Sequence, residues 1–214
     1  MLKTPAVGFL ILVTLCAVFA QTSSGASVNW TDSTGFWDVA GNWSSNPQLP
    51  GATDDVIINV AGLPTVTYRT GTNTISSLGI TNATFDVTGG VLTVSNSFSN
   101  NSATNIISGS LRLNGAPTMA SLNQTGGTLS GAGTVTAGTL TWSDGTMGEN
   151  GQGGGTTTVT GTATIDGTAT YNLLYYGRTL NLNGGANWSA GNGEISIYSG
   201  GQGTSTLNVN YKNN

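Results

Sequence analysis

Short runs in which apolar and polar residues alternate occupy most of the chain after residue 72. Side chains of a β-strand point to opposite sides in turn, so a period of two predicts strands with one buried side. Glycine pairs at 89–90, 126–127, 184–185 and 200–201 lie beside these runs and predict turns. The runs are Leu78–Ile80, Leu92–Val94, Leu111–Leu113, Leu140–Trp142, Ala163–Ile165, Leu180–Leu182, Ile195–Ile197 and Leu207–Val209. The predicted fold class is therefore all-β.

Each predicted strand is too short to be stable by itself. Its few apolar side chains bury too little surface to offset the entropy that is lost when the strand becomes ordered. Stacked coils solve this problem, because each coil covers the apolar side chains and pairs the backbone groups of its neighbour. Residues 72–214 are therefore predicted to form a parallel β-helix (β-solenoid) of roughly seven coils with about 20 residues each. A β-sandwich is the alternative fold.

The two ends of the predicted solenoid differ. The segment 21–71 contains Trp30, Trp37 and Trp43 and three of the five prolines. Proline is rare inside sheets, so this segment is predicted to form an irregular cap on the N-terminal end. At the other end, the strand pattern of residues 206–211 reaches almost to Asn214. This predicts either that the natural chain carries further coils or that this end joins a partner, with end-to-end self-association as one form.

Residues 1–20 have the pattern of a secretory signal peptide. Lys3 supplies the positive charge, residues 6–19 are mainly apolar, and Ala20 precedes a predicted cleavage site. Cys16 is the single cysteine and lies inside this segment, so the exported chain is predicted to have no disulfide. The predicted location is therefore secreted or on the cell surface.

Composition narrows the function classes. Only 7% of the residues are charged, nine acidic residues stand against five basic ones, and histidine is absent. A nucleic-acid partner is not expected, because phosphate binding needs clustered Lys and Arg. With no histidine and one cysteine, zinc sites and histidine-dependent catalytic triads are excluded. Arg112 and Arg178 are expected to point outward and to keep the solenoid soluble. We expect a protein that is not an enzyme and has no cofactor, with Ca²⁺ as the one candidate ion.

Four acidic residues are candidate calcium ligands: Asp54, Asp55, Asp144 and Glu149. Carboxylates in loops rich in carbonyl groups suit a hard cation. For Asp54 and Asp55, the alternative is that one is a turn or strand-entry residue before Val56–Ile58 and the other is a solvated charge. Asp144 and Glu149 are also the best-placed pair for the acid and base of a glycosidase. Their alternative is a turn, because Asp-Gly is an ordinary turn sequence.

Four tryptophans are candidate ligand-binding residues: Trp30, Trp37, Trp43 and Trp188. Flat aromatic rings stack on the apolar faces of sugars. Packing inside the cap is the alternative for the first three. The Thr-x-Thr pattern at Thr134–Thr136 and Thr158–Thr160 raises ice as a further ligand, because regularly spaced hydroxyl and methyl groups on a flat solenoid can order water. The ordinary preference of threonine for outward strand positions is the alternative explanation.

Several stretches are characteristic in combination: Asn29-Trp30-Thr31, Phe36-Trp37-Asp38, Gly41-Asn42-Trp43, Pro50-Gly51, Asp54–Ile58, Gly126–Thr136 and Leu140–Met147. In these stretches the chain resembles large secreted bacterial surface proteins with β-solenoid passenger regions, of the autotransporter and filamentous-haemagglutinin-like type. The resemblance implies a right-handed parallel β-helix that is displayed outside the cell. It also implies an adhesive or scaffold role and no catalytic residues.

We therefore expect an exported, non-enzymatic β-solenoid that acts as a cell-surface adhesin, matrix or scaffold protein. Surface glycans or extracellular matrix are its expected partners. The alternative is a carbohydrate-binding or polysaccharide-degrading β-helix protein, and ice binding is a third hypothesis.

Overall fold

The computed structural model describes residues 25–166, 172–188, 195–201 and 203–210 of the chain. Within these ranges the structure consists of β-strands joined by turns and loops, with one short 3-10 helix at Ala40–Asn42. The strands are β1 (Ser27–Asn29), β2 (Gly35–Phe36), β3 (Asp55–Asn59), β4 (Thr65–Tyr68), β5 (Thr72–Ile75), β6 (Ser77–Thr81), β7 (Thr84–Val94), β8 (Phe98–Leu113), β9 (Thr118–Ser130), β10 (Thr134–Met147), β11 (Thr156–Val159), β12 (Ala163–Ile165), β13 (Asn172–Leu174), β14 (Thr179–Leu182), β15 (Ala186–Trp188), β16 (Ile195–Ile197) and β17 (Thr206–Val209).

The strands stack in parallel on the three faces of a β-solenoid of about seven turns. Face 1 contains β1, β3, β6, β11, β14, β17 and the first parts of β8, β9 and β10. Face 2 contains β2, β4, β12, β15, the start of β7 and the middle parts of β8 to β10. Face 3 contains β5, β13, β16 and the last parts of β7 to β10. The predicted parallel β-solenoid is confirmed, since a sandwich would need antiparallel layers.

Coil length varies along the solenoid. Asn123 hydrogen-bonds to Asn105 of the coil below, 18 positions earlier, whereas Asn208 hydrogen-bonds to Asn181, 27 positions earlier. A complete coil has a strand segment on each of the three faces, and the alternating runs in the sequence belong to different faces. Because coil lengths also differ, neighbouring runs are unevenly spaced in the sequence.

Glycines form the corner between face 2 and face 3. Gly90, Gly109, Gly127 and Gly145 have φ angles of +69°, +69°, +58° and +94°, and other residues enter this region only at a cost. The coils also approach closely here, because a Cβ on Gly109 would lie 2.6 Å from the carbonyl carbon of Gly89. Glycine at this corner lets the long strands change direction while neighbouring coils stay in contact.

Inward side chains of the three faces share one core. On face 1, Val28, Val56, Leu78 and Phe98 lie at equivalent positions in successive coils and are buried. The alternating pattern therefore predicts the inward side of each strand correctly where the residues are apolar. Polar residues also occupy inward positions, as Gln124 does beneath Trp142.

Arg178 is fully buried, so the expectation that it points outward is wrong. Its Nε and Nη2 atoms donate to Oγ1 of Thr157 at 3.1 and 2.8 Å, and its Nη1 atom donates to the carbonyl oxygen of Gly131 at 3.0 Å. Burial lowers the pKa of Arg178 to about 10, so the side chain stays charged at neutral pH. The guanidinium therefore bridges successive coils from inside the solenoid.

An aromatic cluster forms the predicted cap at the N-terminal end. The ring centroids of Trp30 and Trp43 are 4.8 Å apart, and those of Trp37 and Trp43 are 4.6 Å apart, both edge to face. Trp37 also lies 5.7 Å from Tyr68 of β4, so the cluster continues into the solenoid core. Edge-to-face contacts of this kind stabilise aromatic pairs beyond the area that they bury.

Backbone pairing covers the outer edge at the C-terminal end of β1. The Thr31 N–H donates to the Asn42 carbonyl oxygen at 2.8 Å, and the Ser44 N–H donates to the Asn29 carbonyl oxygen at 2.9 Å. An uncovered edge strand pairs readily with other chains. The cap thus covers the core and part of the exposed backbone at this end.

The irregular part of the predicted cap lies between β2 and β3. The strands β3 and β4 also fall within the predicted 21–71 segment, and they pair in parallel with β6 and β7 as coils of the solenoid. The predicted signal peptide 1–20 lies outside the described residues. The same holds for Tyr211 and the residues that follow it.

Candidate functional site

Face 1 presents an uncharged surface of hydroxyl and amide groups along its middle and C-terminal coils. Alternation explains it: in β10, Val135 and Ala137 are buried, and Thr134 and Thr136 point to the opposite side. Adjacent parallel strands are about 4.8 Å apart, so equivalent groups form columns along the solenoid. The outward residues are Thr118, Thr134, Thr136, Thr156, Thr158, Thr160, Thr179, Asn181, Thr206 and Asn208.

A groove of about 440 Å³ runs along face 1 where the chain turns toward face 2. It follows one position through successive coils, at Thr81, Asn101, Ala120, Gly138 and Thr160. The side chain shrinks to a methyl group at Ala120 and to a hydrogen at Gly138, so the surface sinks between larger neighbours. Four spacings of about 4.8 Å give the groove a length of roughly 19 Å.

The lining of the groove combines hydroxyl and amide groups with apolar surface and contains no ionisable side chain. Ser99, Thr118 and Thr136 contribute hydroxyl groups, and Met119 contributes an apolar contact. Asn101 contributes an amide whose Oδ1 atom accepts a hydrogen bond from the Asn82 N–H at 2.9 Å, which fixes its orientation. Hydroxyl and amide groups both donate and accept hydrogen bonds, so this lining suits an uncharged ligand with many hydroxyl groups.

The backbone under the groove is already paired. The first parts of β8, β9 and β10 each lie between two parallel neighbours on face 1. Their N–H and C=O groups therefore serve the ladder between coils. Along the column of Ser99, Thr118 and Thr136, a ligand therefore meets side chains rather than unpaired backbone groups.

The predicted ligand-binding tryptophans lie in two separate places. Trp30, Trp37 and Trp43 are 3%, 1% and 1% exposed, so their rings are covered inside the cap. The Nε1 atom of Trp43 donates to the carbonyl oxygen of Trp37 at 2.8 Å. Trp188 is 44% exposed and lies in β15, near the other end of the solenoid. The structure therefore does not bring the four together, and the cap tryptophans pack against one another.

Asp54 and Asp55 contact neighbouring chain segments. The Oδ2 atom of Asp54 accepts a hydrogen bond from the Gly51 N–H at 2.8 Å, which closes a turn before β3. The Oδ1 atom of Asp55 accepts a hydrogen bond from the Ser77 hydroxyl in the next coil. The Asp54 contact matches the alternative interpretation of a turn residue, and Asp55 is exposed at the start of β3 but hydrogen-bonded to Ser77. Calcium binding at these positions stays a prediction.

Glu149 forms an ion pair with Arg112, although 37 residues separate them in the sequence. The Nε atom of Arg112 lies 2.9 Å from Oε2 of Glu149, the Nη2 atom donates to Oε1, and the Ser130 hydroxyl donates to Oε2 at 2.8 Å. The guanidinium holds the pKa of Glu149 below its ordinary value. A general acid needs a raised pKa, so this environment suits a structural anion.

Asp144 lies in β10, at the corner between face 2 and face 3. Its Oδ1 atom accepts a hydrogen bond from the Gly145 N–H at 2.6 Å, as the alternative interpretation proposed. No cluster of three or more histidine, cysteine, aspartate or glutamate residues that suits a metal ion occurs among the described residues. Calcium binding by Asp144 and Glu149 stays a prediction.

Sequence reasoning missed the groove and the partner of Arg112. Ala120 and Gly138 have no functional group that marks a binding site in the sequence. The recess forms because their side chains are small. Only the register of the coils, with Asn100 against Met119 and Met119 against Ala137, shows that they share one column. An alignment of the coils by their inward residues is the signal that finds such a site.

These features define a parallel β-solenoid with an aromatic N-terminal cap and an uncharged groove. The chain matches no protein-family model, no curated protein and no solved structure. Among the described residues, no helix has the length and apolar character needed to cross a membrane. The class of protein is therefore defined by its geometry.

Proposed function

We propose that this chain is an exported, non-enzymatic β-solenoid that acts as a cell-surface adhesin, matrix or scaffold protein, similar to the passenger regions of autotransporters and filamentous haemagglutinins. The observation that carries the proposal is the uncharged hydroxyl and amide surface on successive coils of face 1. A stack of coils repeats the same groups at a fixed spacing, so weak contacts add through multivalency.

Export is supported by the signal-peptide pattern of residues 1–20. Expression of the full chain in a secreting bacterium, followed by N-terminal sequencing of the released protein, tests it. The mature protein is expected to begin at Gln21. A chain that stays in the cytoplasm with residues 1–20 attached would contradict export.

Adhesion is tested with beads that carry the exported chain. The beads are expected to be retained on cell surfaces or on extracellular-matrix preparations, whereas albumin-coated beads are not. Retention is expected to change little between about 50 and 200 mM salt, because the middle and C-terminal coils of face 1 are uncharged. A protein that binds charged phosphates loses roughly 10³–10⁵ in affinity over the same range. Beads that are retained on no surface would contradict an adhesive role.

Ice binding has one observation in its favour, the column of hydroxyl groups at Thr134, Thr156, Thr179 and Thr206 on face 1. The recess at Ala120 interrupts the flat surface that an ice lattice requires. Thermal hysteresis and shaped ice crystals would support this function, and the absence of both would exclude it.

A further inference from the structure

We infer that the groove on face 1 binds a neutral, linear polysaccharide strand that lies along the axis of the solenoid. This inference rests on the proposed adhesive function and names the class of ligand for it. It places the glycan site on face 1, away from the buried tryptophans of the cap.

The charge of the groove selects a neutral ligand. The residues that line it contribute hydroxyl, amide and apolar groups and no ionisable side chain. A polyanion such as a sulfated or uronic-acid glycan gains its affinity from Lys and Arg contacts. The lining offers no such contact, so an acidic polysaccharide gains no favourable charge interaction there.

The shape of the groove selects an extended ligand. The groove follows the solenoid axis over roughly 19 Å, and equivalent groups recur in it about every 4.8 Å. The hydroxyl groups of Ser99, Thr118 and Thr136 lie in one column beside the recess at Ala120 and Gly138. A linear polymer that repeats its own hydroxyl groups meets this column several times, and each contact is weak by itself.

The pairing of the backbone disfavours an extended peptide. A peptide that adds to a sheet binds through unpaired N–H and C=O groups of an edge strand. The strand segments that carry Ser99, Thr118 and Thr136 pair on both sides, so their N–H and C=O groups are already hydrogen-bonded between coils. A sugar strand needs no such edge, because side-chain hydroxyl and amide groups can donate to and accept from its hydroxyl groups.

Matched variants of the exported chain test the inference. The groove variant combines Thr118→Val and Thr136→Val, two neighbouring residues that line the groove, and keeps the shape of each side chain while it removes the hydroxyl group. The control combines Thr141→Val and Thr164→Val, the equivalent pair of neighbouring coils on face 2. A second groove variant, Ala120→Leu, fills the recess with a side chain. Circular dichroism and the thermal midpoint verify that every variant folds.

Binding is measured by depletion from solution on insoluble cellulose, mannan and chitin, with alginate as the acidic counterpart. The parent chain is expected to bind at least one neutral polysaccharide and to bind it better than alginate. The groove pair and Ala120→Leu are expected to lower the affinity about tenfold, and the control pair less than about twofold, because each lost hydrogen bond has a modest net effect.

The following results would contradict the inference. Equal binding by all variants places the glycan elsewhere, and stronger binding of alginate refutes the ligand class. Beads retained on cells or matrix, with no polysaccharide bound, would refute the groove inference and leave the adhesive function standing. A chain that binds neither polysaccharides nor surfaces would refute both. Ice shaping that is lost in the groove variants, with no glycan bound, would assign the groove to ice.

Discussion

Arg178 shows, at the scale of the single residue, how the solenoid holds a charge inside its core. Two of its nitrogen atoms donate to one hydroxyl group, that of Thr157, and a third donates to a carbonyl group. Among the described residues, no carboxylate forms an ion pair with it. A buried donor that loses its acceptor costs far more than an exposed one, so Thr157 is expected to be important for stability.

Thr157→Val is therefore expected to lower the free energy of unfolding by about 1–3 kcal/mol, because it leaves two donors of a buried cation without their acceptor. The matched control is Thr139→Val, an exposed threonine in β10, with an expected change within about 0.5 kcal/mol. Urea unfolding followed by circular dichroism measures both. Equal losses in the two variants would show that the Thr157 hydroxyl does not support Arg178.

The ion pair between Arg112 and Glu149 predicts a dependence on pH. Because Arg112 lowers the pKa of Glu149 below 4.5, this carboxylate stabilises the fold above that pH, and the contribution is lost as the pH falls through the lowered pKa. Glu149→Gln is expected to lower stability by about 1 kcal/mol at pH 7 and to flatten the loss at acidic pH.

Thermal midpoints of the parent and of Glu149→Gln between pH 7 and pH 2 measure this effect. Asp144→Asn is the control, since Asp144 accepts a hydrogen bond from the neighbouring Gly145 N–H and forms no ion pair among the described residues. Part of the acid dependence is expected to persist in Glu149→Gln, because Arg69 also lowers the pKa of Asp38. Parallel curves for the parent and Glu149→Gln would contradict the role of the ion pair.

At the scale of the structural element, the corner between face 2 and face 3 depends on glycine for two reasons. Positive φ angles make any other residue costly, and the neighbouring coil leaves no room for a Cβ atom. Gly62, which lies outside this corner, shows the effect of the positive φ angle alone. Its φ is +94°, yet a Cβ there would meet nothing within 4 Å.

Gly62→Ala is expected to cost roughly 1–2 kcal/mol for the backbone conformation alone. Gly109→Ala is expected to cost a further 1–3 kcal/mol or so, because the coils must separate to admit the methyl group. Urea midpoints of the two variants measure the difference. An equal cost in both would show that the coils are not in close contact at this corner.

The N-terminal cap is the second element that can be tested separately. Trp43 lies at the centre of the aromatic cluster, so Trp43→Ala is expected to lower the free energy of unfolding by about 3–5 kcal/mol. Trp188→Ala removes a tryptophan that is 44% exposed and is expected to cost less than about 1 kcal/mol. Thermal unfolding measures both. A larger loss of stability for Trp188→Ala than for Trp43→Ala would contradict the aromatic cap as the source of stability at the N-terminal end.

The sequence predicts the strands and their buried sides because the period of two is a local property. It also predicts a cap from the composition around Trp37. It does not predict which coils place Thr118 beside Thr136, or that Arg178 turns inward to Thr157, because these contacts depend on coil lengths that glycine and loop insertions change from one coil to the next. Predictions from local pattern therefore succeed for elements and fail for sites between coils.

At the scale of the whole molecule, the two ends of the solenoid differ. Residues 42–44 pair with the chain at the C-terminal end of β1, whereas the described part of the last coil exposes Trp188, Ile197 and Tyr198. End-to-end self-association stays a prediction for this side. Between the ends, successive coils stack in parallel in a fixed register.

Cysteine cross-linking in a Cys16→Ser background tests that register directly. Thr141→Cys with Thr164→Cys places two thiols on neighbouring coils of face 2, about 4.8 Å apart between Cα atoms, within reach of a disulfide. Asn123→Cys with Thr164→Cys skips one coil on the same face and leaves roughly 10 Å, beyond that reach. With the coils in parallel register, mild oxidation is expected to cross-link the first pair and not the second. Cross-linking of the second pair alone, or of neither pair, would contradict the parallel solenoid.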